Sequence, residues 1–319
     1  MRRREFLTAI GAAAAWPGGV LAQDTGRVFR LGVLIPASRE SIEPFFDELR
    51  LSGFVEGQNL AVNGYYNVPG PQNVGQIAAL IKTSPDVILC GPEIYARALA
   101  AATTRIPLVS MSEDLVGEGL AASLARPGGN VTGISLLSPE LDGKRQEILI
   151  EAVPGVRRMA ALAHSAISIK KHFEEQQELA RARGIELSVH PYATGDEIGP
   201  ALDRAKASGA QAINFLATPQ QIISRAIILN HMSRIRLPAI YQWPETPQYG
   251  GLMGYGPPFA EVYRQRARQI AKIFRGAAVA EVPIEQPARF ELAINLKTAR
   301  EIALDIPAGL LLRADRVIE

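Results

Sequence analysis

Several side chains able to do chemistry follow short apolar runs in this sequence. Glu93, Glu113, Asp114 and His164 are acid–base groups: the carboxylates could hold an ammonium or move a proton, and the imidazole could donate to an anion. The plainer alternatives are that loop carboxylates are solvated and that a lone histidine caps a helix. Trp243 offers a flat face for stacking or a cation–π contact, or else packs beneath the proline-bearing stretch that follows it, residues 243–247. Ser38, Ser112, Ser165 and Thr218 carry hydroxyl groups, whose ordinary duty at such positions is capping. Gly91 and Pro92 stand where a strand gives way to a helix, a place that leaves backbone N–H groups open to an anion.

Covalent and metal chemistry find little support. There is no G-x-G-x-x-G after the first strand, no P-loop, no G-x-S-x-G elbow and no H-E-x-x-H. Four histidines and a single cysteine stand at scattered positions without metal-ligand spacing, so neither a metal nor a cofactor is expected. Cys90 lies in an apolar run and reads as a small buried hydrophobe. An enzyme with Glu93, Glu113, Asp114 and His164 converging as acid and base is the competing reading.

The elements that must position these groups repeat a simple pattern. Apolar runs at residues 29–35, 59–66, 86–90 and 106–111 alternate with helical stretches at 44–51 and 93–103 and with Val74, Ile77, Ala78 and Ile81 at helical spacing. The pattern starts again at residues 159–163, 185–190, 211–216 and 238–241, with helices expected over 168–183, 199–208 and 219–231. Ile222, Ile223, Ala226 and Ile227 form the apolar face expected for the last of these. Strands separated by single helices imply parallel βαβ units with right-handed crossovers. Two similar open α/β units are therefore expected, followed by a helix over 259–274. In such units the groups named above fall at the carboxyl ends of strands, where ligands sit. Glycine-rich segments around Thr132 and Gly133, and around Met253, Gly254 and Tyr255, read as the crossings between the units, permitting a hinge.

The amino terminus carries consecutive arginines at Arg2, Arg3 and Arg4, then Phe6 and Leu7, an Ala/Gly-rich apolar stretch and a small residue at Ala22. This is the layout of a secretory signal of twin-arginine type, residues 1–22, cleaved near Ala22. The apolar run is too short and too interrupted by Gly and Pro to span the roughly 30 Å hydrocarbon core of a bilayer. No cysteine follows it, so no lipid anchor is expected. Loss of three arginines and one glutamate with the leader takes the formal charge from +2 to zero. No basic field remains to attract nucleic acid.

Five strings carry a resemblance. They are LSGFVEGQNL at 51–60, ASLARPGGNVTG at 122–133, GGLMGYGP at 250–257, QPARFELAINLKTA at 286–299 and LLRADRVIE at 311–319. With them the chain resembles the ABC-transporter substrate-binding proteins of the tryptophan/tyrosine-uptake type. The resemblance implies the type I periplasmic binding-protein fold: two doubly wound parallel-sheet lobes joined by a multi-crossover hinge. Lobe 1 is expected at residues 27–131 plus 257–285 and lobe 2 at 132–256 plus 286–319. It further implies a periplasmic monomer without enzyme activity, which captures a small solute such as an amino acid or aromatic acid and delivers it to an ABC permease in the inner membrane. A transcription regulator shares this fold but needs a DNA-binding helix pair ahead of the first strand, where only residues 23–28 stand. The chain departs from its relatives at strand ends. Pro92-Glu93 replaces a usual Gly-Thr, residues 113–117 replace Ser-Asp-Pro-Val-Gly, and His164-Ser165 replaces Asn-Pro. The fold and role thus carry over while the ligand's identity does not.

Overall fold

The computed structural model describes residues 26–68, 70, 74–136, 138–165, 170–218 and 220–319. The expected leader, residues 1–22, lies outside them. The first half of the chain forms β1 (Phe29–Leu34), α1 (Glu43–Leu51), β2 (Leu60–Tyr65), α2 (Val74–Lys82), β3 (Val87–Cys90), α3 (Glu93–Ala102), β4 (Leu108–Ser112) and β5 (Val131–Ser135). The second half forms α4 (Ser138–Ala152), β6 (Arg158–His164), α5 (Lys170–Ala182), β7 (Glu186–Tyr192), α6 (Gly195–Ala207) and β8 (Ala212–Phe215). It continues with α7 (Gln220–Ile223), α8 (Arg225–Ile235), β9 (Ala239–Tyr241) and β10 (Met253–Gly256). The chain ends with α9 (Phe259–Phe274), β11 (Glu291–Asn295), α10 (Leu296–Glu301), α11 (Ala308–Leu311) and β12 (Arg316–Ile318).

Two sheets result. The first is five-stranded, β2-β1-β3-β4-β5, and all its pairings are parallel. The second is seven-stranded, β12-β11-β10-β9-β8-β6-β7, and parallel except where β10 meets β11. β3 and β8 are buried along their whole length because helices cover both faces, the condition under which parallel strands read as unbroken apolar runs. Leu31, Val33, Leu89 and Val109 pack with Phe45, Tyr263 and Ile270 on one face of the first sheet. Leu34, Ile88 and Leu108 pack with Leu80, Tyr95 and Leu99 on the other. The second sheet is likewise sandwiched between two apolar clusters. α9 returns to the first sheet, packing on α1 and on β3, β4 and β5.

Three details of the sequence reading change. The expected division at 131/132 cuts through β5, which pairs with β4 from Val131 to Ser135 and so belongs whole to the first sheet. The expected hinge residues sit inside the ladders: Thr132 and Gly133 in β5, and Met253, Gly254 and Tyr255 in β10 between β9 and β11. Their glycines serve close approach. A Cβ on Gly133, whose φ is +146°, would lie 1.9 Å from the Ser110 carbonyl oxygen, and one on Gly254 would lie 2.2 Å from that of Trp243. The chain passes between the sheets just beyond these strands: between β5 and α4, between β10 and α9, and between Glu285, which bridges to Ile134, and β11. The apolar face expected over 219–231 also moves. Ile228, Met232 and Ile235 are buried while Ile227 is exposed, because the helix is interrupted at Ser224 and α8 restarts in a different phase.

α4 has no counterpart in the sequence reading. It buries Asp142, Arg145 and Gln146 beside Ile148, Leu149 and Ala152, so its inward face is half polar and shows no apolar periodicity.

Candidate ligand cleft

The carboxyl ends of the two sheets face each other. Met111, Ile134 and Leu136 from the tips of the first sheet pack against Trp243 beyond β9 and Val262 of α9, with Ile222 of α7 alongside. A hydrogen bond spans the junction, Gln242 Nε2 donating to Glu113 Oε1 at 2.8 Å. Both residues are buried, and 129 positions separate them in sequence. The same Gln242 side chain accepts from the Thr218 backbone N–H at 3.1 Å, so one amide ties the tips of β8 and β9 to the tip of β4.

On the first side, the strand tips carry carboxylates. Glu93 opens α3 and is largely buried, with Oε2 lacking a hydrogen-bond partner. Desolvation, then the nearby Glu118 and Glu113 charges, push its pKa up to about 8. Glu118 accepts from Ser112 Oγ at 2.7 Å, and burial raises its carboxyl as well. Gly91 is enclosed: a Cβ there would meet Pro36 Cδ and the Tyr95 ring at 2.9 Å, and its carbonyl accepts from Ser110 Oγ. Pro92 precedes α3 and its carbonyl accepts from Tyr95 N–H. Ser38 and Asp114 are occupied with their own loops. Ser38 Oγ accepts from Ser41 N–H, and Asp114 Oδ1 accepts from the N–H groups of Val116 and Gly117 while facing solvent.

On the second side the groups are mostly neutral. His164 Nε2 donates to the Ala193 carbonyl at 2.9 Å, which leaves its proton on that nitrogen, and burial lowers its pKa. Its ring stands edge-on to Tyr192 at 5.4 Å. Ser165 is exposed and its N–H is used by Tyr192 O. Trp243 is only 3 % exposed and stacks on Phe259 with centroids 4.0 Å apart and planes 11° from parallel. Its indole N–H is buried with no acceptor among the described residues.

Behind this side lies a polar centre that sequence reasoning missed. The Asp142 carboxylate accepts from Arg145 Nη2 at 2.6 Å and Nε at 3.1 Å and from Ala217 N–H at 3.0 Å, and His172 Nε2 lies 2.9 Å away. Arg145 Nη1 donates to Tyr255 O in β10 at 3.0 Å. The cluster thereby fixes the tip of β8 to the strand that precedes the second crossing. The i,i+3 spacing of Asp142 and Arg145 was available in the sequence, but nothing there told a buried pair from a surface one. Among the described residues no three His, Cys, Asp or Glu side chains gather as metal ligands, and no helix is long and apolar enough to cross a membrane.

Two α/β lobes meeting through their strand tips, with buried polar groups at the junction, define a protein that holds a small molecule between its halves. The chain matches the ABC transporter substrate binding protein family over residues 33–318 and belongs to it. It is therefore the solute-binding component of an ABC transporter, a partner of membrane permeases. It is 22 % identical over 278 residues to a tyrosine-binding protein of Clostridioides difficile (strain R20291), covering 85 % of this chain and 78 % of that one. Its fold is similar to an ABC domain in complex with L-Trp from Streptococcus pneumoniae, with a TM-score of 0.79, 22 % identity, and coverage of 91 % of this chain and 100 % of that one. A conserved domain protein from Vibrio cholerae is similar at a TM-score of 0.80, 23 % identity, and 91 % and 100 % coverage.

Proposed function

We propose that the chain is exported to the periplasm by its arginine-led leader, cleaved near Ala22, and closes there as a monomer over an amino acid or aromatic acid, without chemical change to it. The observation that carries this reading is the Glu113–Gln242 hydrogen bond across the junction, beside the buried and acceptor-less Trp243 indole N–H. A donor left without an acceptor in a desolvated place is unfavourable by about 1–3 kcal/mol, and a ligand oxygen would relieve it. The carboxylates of Glu93 and Glu113 suit an ammonium, and the Thr218–Gln242 amide pair suits a polar head group. Gly91, Pro92, Ser112, His164 and Ser165 shape the surrounding tips. The tyrosine-binding relative and the tryptophan-bound structure agree with such a solute.

Ligand binding favours the closed arrangement, the state a permease would recognise. Mass spectrometry of the solute extracted from purified protein, followed by calorimetry with that compound, tests the proposal. Recovery of the same compound unaltered after long incubation supports capture. Steady conversion to a product would establish the competing enzyme reading instead. Fractionation of cells that found the full-length chain in the cytosol, leader attached, would end the periplasmic assignment.

A further inference from the structure

Arg266 lies on the face of α9 that packs against the first sheet, and it has no solvent exposure. A guanidinium carries five N–H donors and is charged at any physiological pH. Here Nη2 donates to the Cys90 carbonyl at 2.8 Å, while Nε and Nη1 have no acceptor among the described residues. Its immediate neighbours are Tyr263, whose ring centroid is 4.9 Å from Cζ, and Cys90. Neither supplies a negative charge near neutrality: burial pushes the Cys90 thiol up to about 11 and raises the Tyr263 phenol. A buried cation without a counter-ion is strongly disfavoured unless something supplies the missing charge.

Its location says where that charge would come from. Cys90 ends β3, and Gly91 and Pro92 turn the chain at the junction before Glu93 opens α3. One helical turn before Arg266, Val262 belongs to the cluster in which Met111 and Trp243 meet. Side chains on a helix lean toward its amino terminus. The amino terminus of α9 is the second crossing, where Phe259 stacks on Trp243. Arg266 is thus directed at the junction from beneath. Cys90 and Glu93 are close in sequence, yet Glu93 belongs with α3, which packs on the face of the sheet opposite to α9. The tip of the first sheet therefore offers a cation on its α9 side and carboxylates on its α3 side.

We propose that Arg266 anchors a carboxylate of the captured solute, donating to it from an N–H that the protein itself leaves unengaged. This rests on the solute-binding reading above and names the residue that would hold the acid group. A guanidinium keeps its charge when buried, whereas a buried ammonium is readily neutralised, so a lysine is a poorer anchor there.

The test is calorimetry and thermal shift on the wild-type protein, Arg266→Met and Arg266→Lys. The probes are L-tyrosine, L-tryptophan and 4-hydroxyphenylacetate, each against its counterpart without the acid: tyramine, tryptamine and 4-hydroxyphenylacetamide. The wild-type protein is expected to bind an acid about a hundredfold or more tighter than its counterpart. Arg266→Met is expected to erase that preference, and Arg266→Lys to keep only part of it while remaining folded with its charge in place. Equal binding of acid and counterpart by the wild-type protein, or an undiminished acid preference in Arg266→Met, overturns the anchor and leaves the solute-binding role standing. Failure of the wild-type protein to bind any of the six probes overturns the Arg266 anchor for the aromatic acids. Extending the panel to sugars and polyols then separates the two failures: uptake of a neutral solute keeps the binding role, and uptake of nothing removes it too.

Discussion

Among the described residues two arginines are fully buried, one in each lobe, and their surroundings differ sharply. Arg145 in the second lobe donates to Asp142 from two nitrogens and to Tyr255 O from a third. Arg266 in the first lobe donates to the Cys90 carbonyl and lies beside the Tyr263 side chain, and among the described residues no carboxylate answers its charge. The first arrangement is complete without help, as befits a structural joint that locks α4 to the tips of β8 and β10. The second is incomplete, as befits a group waiting for a partner from outside the chain. Burial alone does not tell a structural cation from a binding one; the inventory of acceptors does.

The largest effect expected from breaking this contrast is at the complete site. Arg145→Met takes the guanidinium from the buried Asp142 carboxylate and should lower the unfolding free energy by about 3–5 kcal/mol, measured by urea titration. The same replacement at Arg266 removes an uncompensated charge and should leave the unliganded protein as stable as before or more so. Equal losses at the two positions would erase the distinction. Next in size is Trp243→Ala, which should weaken solute binding by about 1–3 kcal/mol in calorimetry while the fold persists. Unchanged affinity would remove that ring from the cleft.

Glu93 sharpens the comparison from the acidic side. Its folded-state pKa of about 8 lies above the ordinary 4.5. Between those values the folded state holds a proton that the unfolded chain has released, so its contribution falls as pH rises from about 4.5 to 8. Glu93→Gln should flatten that decline, with a gain on the order of 1–2 kcal/mol at pH 8, read from denaturation midpoints at several pH values. The smallest effect is expected where a hydroxyl serves only its own turn. Ser38→Ala loses a cap worth roughly 1 kcal/mol or less and should not alter solute affinity.

Much of the scaffold was readable because parallel strands covered on both faces must be apolar throughout. β3 accordingly stands out as an unbroken run, and β1, β6 and β8 as runs interrupted only by Arg30, by the terminal Arg158 and His164, and by Asn214. α4 did not stand out, because the face it buries carries Asp142, Arg145 and Gln146 and mimics a solvated helix. The glycines of β5 and β10 were legible as special positions, but their purpose was not. Gly133 and Gly254 answer to the Ser110 and Trp243 carbonyls, atoms of neighbouring segments whose approach no local pattern records. Of the strand-tip residues, Glu93, Glu113, Thr218 and Trp243 meet at or beside the junction, while Ser38 and Asp114 turn back on their own loops.

What the amino-acid order determined by itself is everything that depends on near neighbours: which stretches are strands and helices, that βαβ units recur in two sets, and which residues end each strand. Folding in three dimensions decided which of those ends face one another, that Gln242 reaches Glu113, and that Arg145 finds a carboxylate while Arg266 does not. The reason is physical. Periodicity and capping act over a few residues, whereas desolvation and charge pairing depend on everything within several ångströms, and only the closed chain sets those distances.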